Sequence, residues 1–345
     1  MRHQHHGSAP AARRRFFFHW SVAAAVAFVS AAAAAPDTER RFRIAVACVS
    51  SDAGARLEGF GFTCADVRSS FELAARNQPI ELAFYDNRGE RAAALSNVDE
   101  AIRTKADLFI EYDPDPGVNV EAGNRLKAAA IPAMAINYPI PGAPLYGADS
   151  AAAGQIAGEA LAKFAAANWR GVVPVAAIVG GTSPVELVDA RAKGIAVGLR
   201  RTKSKIAITR IEANDAERME KNFGAFLATQ KGKKVLVAAL DDRSAISAKE
   251  VIEAAGRLDD CVIVSQGLDR SIHGGMHEKK EISFDNRGSI VLGSVAYFVD
   301  RYGYDVLPLA LRIVRGETVP AHTKTKHMLI TPMNVFREYP PFDMN

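Results

Sequence analysis

The chain alternates short apolar runs with longer segments whose apolar residues recur at helical spacing. The short runs are rich in Val, Ile and Ala, and most are apolar throughout rather than at every second position. They read RFRIAVACV, IELAFYD, DLFIEY, IPAMAIN, VVPVAAIVGG, KIAITRIEA and KVLVAAL. Continuous apolar strands separated by helices predict parallel sheets that are covered by helices on both faces.

The segments between these runs predict helices, in two series that divide near residue 150. The predicted helices cover residues 65–76, 91–104, 120–129, 150–167, 185–201, 216–230 and 245–255. Two such series predict an α/β protein with two doubly wound parallel-sheet, Rossmann-like domains. The length of the chain also favours two domains, because 345 residues exceed what a single hydrophobic core usually holds.

The first 35 residues do not fit this alternation. Arg13-Arg14-Arg15 precede the apolar stretch FFFHWSVAAAVAFVSAAAAA, and small residues end it at Ala31 to Ala35. This order predicts a signal peptide over residues 1–35 and a periplasmic protein, exported by the general or the twin-arginine route. A membrane anchor is the alternative, since about 20 apolar residues can span a bilayer.

The net charge of +4 suggests a basic protein, but the excess comes from the N-terminal segment. Arg2 and Arg13 to Arg15 are its basic residues, and without these four the chain has 39 basic and 39 acidic side chains. A balanced charge removes the support for a nucleic-acid partner.

Three cysteines in an exported protein allow one disulfide at most. Cys48 and Cys64 flank one early loop and could pair, whereas Cys261 opens an apolar run and is expected to pack as a small hydrophobic residue. The sequence contains no CxxC motif and no Cys/His cluster. It therefore predicts neither a metal nor a cofactor.

Polar residues follow the predicted strands, where the carboxyl ends of parallel strands form a ligand crevice. Carboxylates, amides and aromatic rings at such an edge suit a polyhydroxylated solute, although each Asp can equally cap the following helix. The residues at these ends are Asp86, Asn87, Tyr112, Asp113, Asn137, Tyr138, Asp241, Asp242 and Asp269.

An enzyme would need an activated nucleophile or an acid/base pair. Ser183 and the adjacent Asp241 and Asp242 are the only candidates, and the chain has no G-x-S-x-G elbow and no Walker lysine pattern. The sequence predicts a binding protein without catalytic residues.

An ordered set of motifs resembles the type I periplasmic substrate-binding proteins of ABC importers, in the ribose-binding-like group. The resemblance covers roughly residues 41–335. Its carriers are YGADSAAAGQIAGEALAKF, RAKGI, ALDDRSAISAKEVIEAAG, SQGLD, SVAYFVDRYG and IVRGETVPAHTKTKHMLITPMNV.

The resemblance implies two lobes joined by a three-stranded hinge, with the ligand between lobes that close on it. The N-terminal lobe would comprise residues 37–147 and 297–325, and the C-terminal lobe residues 150–294 and 328–345. It further implies a monomer that delivers a sugar or polyol to an ABC transporter permease. A protein that presents its ligand to a membrane kinase or chemoreceptor, and a non-sugar solute, remain alternatives.

The resemblance also implies roles for individual residues of the site. Arg191 matches the arginine of the family's R-x-x-G pattern, Asp269 ends SQGLD, and Asn137 follows the fourth strand. Of the adjacent pair, Asp241 is expected to reach the ligand. Asp242 is expected to cap the helix from Ser244 or to support Arg191 or Arg243.

The first loop, SSDAGARLEGFGFTCAD, is longer than is usual in the family. Two of its phenylalanines are candidates for a stacking surface, with core packing or a lid as alternatives. Asn137 and Tyr138 replace a more strongly charged pair of other members, and Tyr297 stands near the position where other members have an amide. The complete predicted ligand-binding set is Phe60, Phe62, Asn137, Tyr138, Arg191, Asp241, Asp269 and Tyr297.

Overall fold

A computed structural model describes residues 40–181, 186–201, 205–274 and 279–339. The predicted signal peptide, Ser183 and residues 340–345 lie outside the described residues. The strands, numbered in chain order, are β1 Phe42–Cys48, β2 Ile80–Asp86, β3 Leu108–Tyr112, β4 Ala133–Ile136, β5 Leu145–Gly147, β6 Val175–Gly180, β7 Ala207–Glu212, β8 Val235–Ala239, β9 Cys261–Gly267, β10 Val291–Ala296, β11 His322–Lys324 and β12 Met328–Ile330.

The helices surround these strands. They are α1 Cys64–Ala75, α2 Arg91–Arg103, α3 Pro116–Ala128, α4 Ser150–Asn168, α5 Glu186–Arg200, α6 Ala216–Arg218, α7 Gly224–Thr229, α8 Asp242–Ala254, α9 Tyr302–Val314 and α10 Val335–Glu338. None of the helices within the described ranges is long and apolar enough to cross a membrane.

The strands form two six-stranded sheets, one in each lobe. The N-terminal lobe has the order β11-β5-β4-β3-β1-β2, and the C-terminal lobe has the order β12-β10-β9-β8-β6-β7. Every pairing is parallel except that of β10 with β12. The central strands β3, β8 and β9 are buried along their whole length, as expected for sheets covered on both faces. The predicted fold class is confirmed.

Two predicted helices differ from those observed. The helix expected at residue 120 begins at Pro116, because the Asp115 carboxylate accepts hydrogen bonds from the Gly117 and Val118 N–H groups and proline favours the first helical position. The helix expected over residues 216–230 is interrupted by a π-helical turn, Met219–Phe223. Both end residues of that turn are buried in the core, which a wider turn permits.

The chain passes between the two sheets in three places: after β5, after β10 and between β11 and β12. His327 joins all three connections. The Asp149 N–H donates to its Nε2 at 3.0 Å, and its Nδ1 lies 3.0 Å from the Ala296 carbonyl oxygen. The ring also packs against Tyr297, with centroids 4.5 Å apart. One imidazole therefore holds the three connecting strands together.

A disulfide joins Cys48, at the end of β1, to Cys64, at the start of α1. It closes the long first loop, with a sequence separation of 16 residues. Cys261 is free and buried, and burial raises the pKa of its thiol to about 11.

We expect reduction of this disulfide to lower the free energy of unfolding by about 3 kcal/mol, because closing a loop of this length restricts the unfolded chain. Urea denaturation with and without reductant measures the difference. A C48S/C64S double variant should show the lower stability in both conditions. An unchanged midpoint for the wild-type protein after complete reduction would contradict the expectation.

Candidate functional site

Arg191 lies at the centre of the C-terminal face of the cleft between the lobes. Its side chain is 1% exposed, and its Nη1 donates to the Leu240 carbonyl oxygen. The guanidinium lies over two aromatic rings, 4.2 Å from the Phe60 centroid and 5.0 Å from that of Tyr297. Its Nε and Nη2 have no hydrogen-bond partner among the described residues. Since buried polar groups are almost always satisfied, two free donors on a buried arginine indicate a binding site.

The packing of α4 on α5 positions Arg191. A Cβ atom added at Gly154 would lie 2.1 Å from the Arg191 carbonyl oxygen, and one at Gly158 would lie 2.2 Å from that of Ile195. Only glycine allows such an approach of two helix backbones. The glycines of the AGQIAGEA motif therefore bring the start of α5 to the cleft.

Tyr297 and Gln266 lie beside the arginine. Tyr297 is fully buried, its ring centroid is 4.4 Å from that of Phe60, and its hydroxyl donates to Gln266 Oε1 at 3.1 Å. Burial raises the pKa of the tyrosine hydroxyl, against the opposing effect of the Arg191 charge. Gln266 Nε2 is buried and has no acceptor among the described residues. A third unsatisfied donor group is thus present next to Arg191.

The two adjacent carboxylates that follow β8 make different hydrogen bonds. Asp241 caps α8, and its carboxylate accepts from the Ser244 N–H at 2.8 Å and from the Ser244 hydroxyl at 2.7 Å. Asp242 is fully buried and accepts from the hydroxyls of Ser265 and Ser294 and from the Asp269 N–H. The prediction that Asp242 caps the helix was wrong, because the extended residue before the first turn is Asp241.

Asp242 therefore positions Asp269. The Asp269 carboxylate, 3% exposed, accepts from the Ser271 N–H at 2.7 Å and from the Gly61 N–H of the other lobe at 2.6 Å. Burial, reinforced by the Asp269 charge, raises the pKa of Asp242 well above its usual value. Burial also raises the pKa of Asp241, against the effects of the Ser244 hydrogen bonds and the Arg191 charge.

The N-terminal face of the cleft contains an amide, two tyrosines and a glutamate. Asn137 has a left-handed backbone with φ of 58°, which asparagine tolerates, and its Oδ1 accepts from the Ala148 N–H at 2.8 Å. Its Nδ2 donates to the Tyr112 hydroxyl at 3.0 Å and to Glu58 Oε1 at 3.1 Å. Tyr138 lies beside Tyr112, with ring centroids 6.2 Å apart.

Glu58 is the acidic group of this face. Its two carboxylate oxygens lie 2.8 and 2.7 Å from the Tyr112 hydroxyl. Removal from water raises the pKa of the carboxyl, and the hydrogen bonds from Tyr112 and Asn137 and the charge of Arg191 oppose this shift.

The first loop reaches across the cleft. Phe60 contacts both Arg191 and Tyr297 and is buried in the hydrophobic core, as is Phe62. A cavity of about 740 Å³ remains on the outer side of this loop. It is lined by the first loop from one lobe and by Asp241, Arg243, Ser244 and Asp269 from the other.

Of the predicted ligand-binding residues, Phe60, Asp241 and Asp269 line this cavity, and Phe62 packs in the core without lining it. Arg191 and Tyr297 contact Phe60, and Asn137 and Tyr138 lie beside Tyr112 on the N-terminal face. Two residues of the site were not predicted, Glu58 and Gln266. Gln266 stands within the SQGLD motif, so the motif contained a signal for it. Glu58 follows no strand and belongs to no motif, and only the folded loop shows its position.

A second polar cluster lies beneath the N-terminal lobe's strand ends. Asn87 Nδ2 donates to Glu111 Oε1 at 2.9 Å and to Asp113 Oδ2 at 2.8 Å. Glu111 is fully buried, and its Oε2 lacks a partner among the described residues. Burial raises the pKa of Glu111 to about 8, and the Asp113 charge adds to the effect.

This pKa predicts a loss of stability with rising pH. The carboxyl titrates near 4.5 in the unfolded chain and near 8 in the folded one, so the folded state keeps a proton that the unfolded state releases. The contribution of Glu111 to the free energy of unfolding should therefore fall by about 3 kcal/mol between pH 5 and pH 8. Glu111→Gln should remove this contribution, so that its stability falls by about 3 kcal/mol less than that of the wild type over the same range. The exposed control Glu81→Gln should keep the full wild-type slope, and an equally steep slope in Glu111→Gln would contradict the prediction.

Within the part of the chain that the structure describes, no group of three His, Cys, Asp or Glu side chains is arranged to hold a metal ion. The site consists of aromatic rings, of carboxylates and amides from both lobes, and of one buried arginine. Such an arrangement binds a small polar molecule by hydrogen bonds and ring stacking.

The fold and this site define a two-lobed binding protein. A family model described as the periplasmic binding protein domain matches residues 63–318. The chain therefore belongs to the periplasmic binding protein family, which is a family of solute-binding proteins. Comparison with the curated proteins gives no significant match.

Solved structures share the fold at low sequence identity. One is an ABC transporter solute-binding protein from Bacillus halodurans with bound myo-inositol, 19% identical, with a TM-score of 0.62 over 87% of this chain and 98% of that one. Another, from Mycobacterium smegmatis with bound glycerol, is 16% identical, with a TM-score of 0.64 over 85% and 95%. A third is the fructose-binding periplasmic domain of a hybrid two-component system, 17% identical, with a TM-score of 0.61 over 85% and 92%.

Proposed function

We propose that this protein is an exported solute-binding protein that captures a sugar or polyol between its lobes and delivers it to an ABC transporter permease. The observation that carries the proposal is the group of buried, unsatisfied donors on Arg191 and Gln266. Hydroxyl and ring oxygens of a sugar supply acceptors for such donors, and leaving the donors unpaired costs about 1 to 3 kcal/mol each.

The surrounding side chains favour a neutral solute. Arg191 is accompanied by four buried or partly buried carboxyls, those of Glu58, Asp241, Asp242 and Asp269. An anionic solute would meet repulsion from these groups, whereas hydroxyls can donate to them. The Phe60 and Tyr297 rings pack on each other at a tilt of 47° and with a centroid separation of 4.4 Å, so a sugar ring that replaced Phe60 could take over its apolar contact with Tyr297.

The comparisons agree with this chemistry. The Bacillus halodurans protein binds myo-inositol and the Mycobacterium smegmatis protein contains glycerol, both of them polyols. The proposal also includes export by the predicted signal peptide, action as a monomer and closure about the three connecting strands.

A thermal-shift screen of the exported protein against sugars, polyols, sugar acids, nucleosides and amino acids tests the proposal. A solute at 100 times its dissociation constant should stabilise the folded state by about 2.7 kcal/mol and raise the melting temperature by several degrees. A shift with a sugar or polyol supports the proposal. Shifts confined to amino acids or nucleosides would overturn the ligand class.

One comparison favours a second candidate, a sensory role. The fructose-binding structural relative is the periplasmic domain of a hybrid two-component system. Uptake of the radiolabelled solute by cells with and without the gene separates the two. Loss of uptake in the deletion strain supports delivery to a permease, and normal uptake with a lost transcriptional response supports sensing.

A further inference from the structure

The segment Glu58–Gly61 of the first loop binds both faces of the cleft. The Glu58 carboxylate accepts hydrogen bonds from Tyr112 and Asn137 of its own lobe. In the opposite lobe, the Phe60 ring covers the Arg191 guanidinium at 4.2 Å, and the Gly61 N–H donates to the Asp269 carboxylate at 2.6 Å. The segment thus connects the two lobes through a carboxylate, an aromatic ring and an N–H group.

The loop is fixed in this position from within. The Leu57 N–H donates to the Phe62 carbonyl oxygen at 3.0 Å, Arg56 Nη1 donates to the Gly61 carbonyl oxygen at 2.6 Å, and the disulfide fixes both ends. Glu58 has a left-handed backbone with φ of 49°. A glutamate is held in this region only where its surroundings determine the conformation.

These contacts are of the same kinds as those of a bound sugar. A sugar ring offers acceptors to Tyr112 and Asn137, an apolar face to Arg191 and Tyr297, and a hydroxyl donor to Asp269. We propose that Glu58–Gly61 is an intramolecular ligand that holds the lobes closed without solute, and that a solute enters by displacing it. This proposal goes beyond the proposed function, because it concerns the protein before any solute is present.

The loop leaves some hydrogen-bond donors of the cleft unsatisfied, which explains how a solute can replace it. Arg191 Nε and Nη2 and Gln266 Nε2 stay unsatisfied while the loop occupies the cleft. An oxygen-rich solute gains these hydrogen bonds in addition to those that it takes over from the loop. The difference in satisfied donors drives the exchange.

Small-angle X-ray scattering of the exported, solute-free protein tests this proposal. A compact chain of about 310 residues has a radius of gyration near 19 Å. We expect the wild-type protein to have this value. Gly61→Ala should increase it by about 1 Å, as expected when two lobes open about a hinge, because a Cβ atom there would lie 2.3 Å from the Asp269 carboxyl carbon.

Phe60→Ala should also increase the radius of gyration, because it removes the contacts with Arg191 and Tyr297. This variant tests the proposal if Gly61→Ala does not fold. Ala53→Ser, at an exposed position of the same loop, is the control and should stay compact. An expanded wild-type protein, or compact loop variants, would overturn the proposal. The scattering is measured without solute, so the proposed function would stand if the loop variants stayed compact. A failed solute screen would leave the closure of the solute-free lobes to be decided by scattering alone.

Discussion

Replacing Arg191 with methionine is expected to lower the affinity for the solute at least 30-fold and also to lower the stability of the unbound protein. The donors lost are those that no described residue satisfies, so the loss appears in binding, at about 2 kcal/mol or more. The unbound protein loses the hydrogen bond to Leu240, the contacts with the Phe60 and Tyr297 rings and the charge that accompanies the Glu58 and Asp241 carboxyls, so its melting temperature should fall as well. Calorimetric titration and a thermal melt of the same sample measure both effects.

Arg243 is the matched control for this experiment. It is exposed and lines the outer cavity. Arg243→Met should change affinity less than threefold, since exposed charges contribute little to affinity once screened. Equal losses for the two variants would show that Arg191 acts through general electrostatic attraction rather than through direct hydrogen bonds.

Replacing Asp242 with alanine is expected to cost about 3 to 5 kcal/mol of stability, the largest effect among the carboxylates of the cleft. The substitution leaves the Asp269 N–H and the Ser265 and Ser294 hydroxyls without their acceptor in a fully buried position. Urea denaturation measures the change, and the retained far-ultraviolet circular dichroism shows whether the variant still folds.

The neighbouring Asp241→Ala variant is the comparison. It removes a helix cap, which is worth about 1 kcal/mol. If the two variants were equally destabilised, or Asp241→Ala the more so, the roles assigned to the pair would be wrong.

Seven of the twelve strands in the described residues, β1 to β4 and β6 to β8, and most of the helices could be predicted from the sequence because burial imposes a simple pattern. A run such as KVLVAAL is apolar throughout, since β8 is covered on both faces. The π turn at Met219–Phe223 could not be predicted, because it shifts the helical period by one residue and none of its own five residues is Gly or Pro.

The site could be predicted only where its residues belong to motifs. Arg191 and Asp269 follow from ordered motifs, and Tyr297 from its place in SVAYFVDRYG. The roles of Asp241 and Asp242 could not be separated, because two adjacent carboxylates differ only in which one has the extended backbone that begins the helix. Glu58 could not be found at all, because its partners Tyr112 and Asn137 lie 54 and 79 residues away.

The most direct test of the central claim is a crystal structure of the protein with the solute identified in the thermal screen. The account predicts solute oxygens within about 3 Å of Arg191 Nε and Nη2 and of Gln266 Nε2, with the ring between the two lobes. A solute bound elsewhere, with these three nitrogens still unsatisfied, would contradict it.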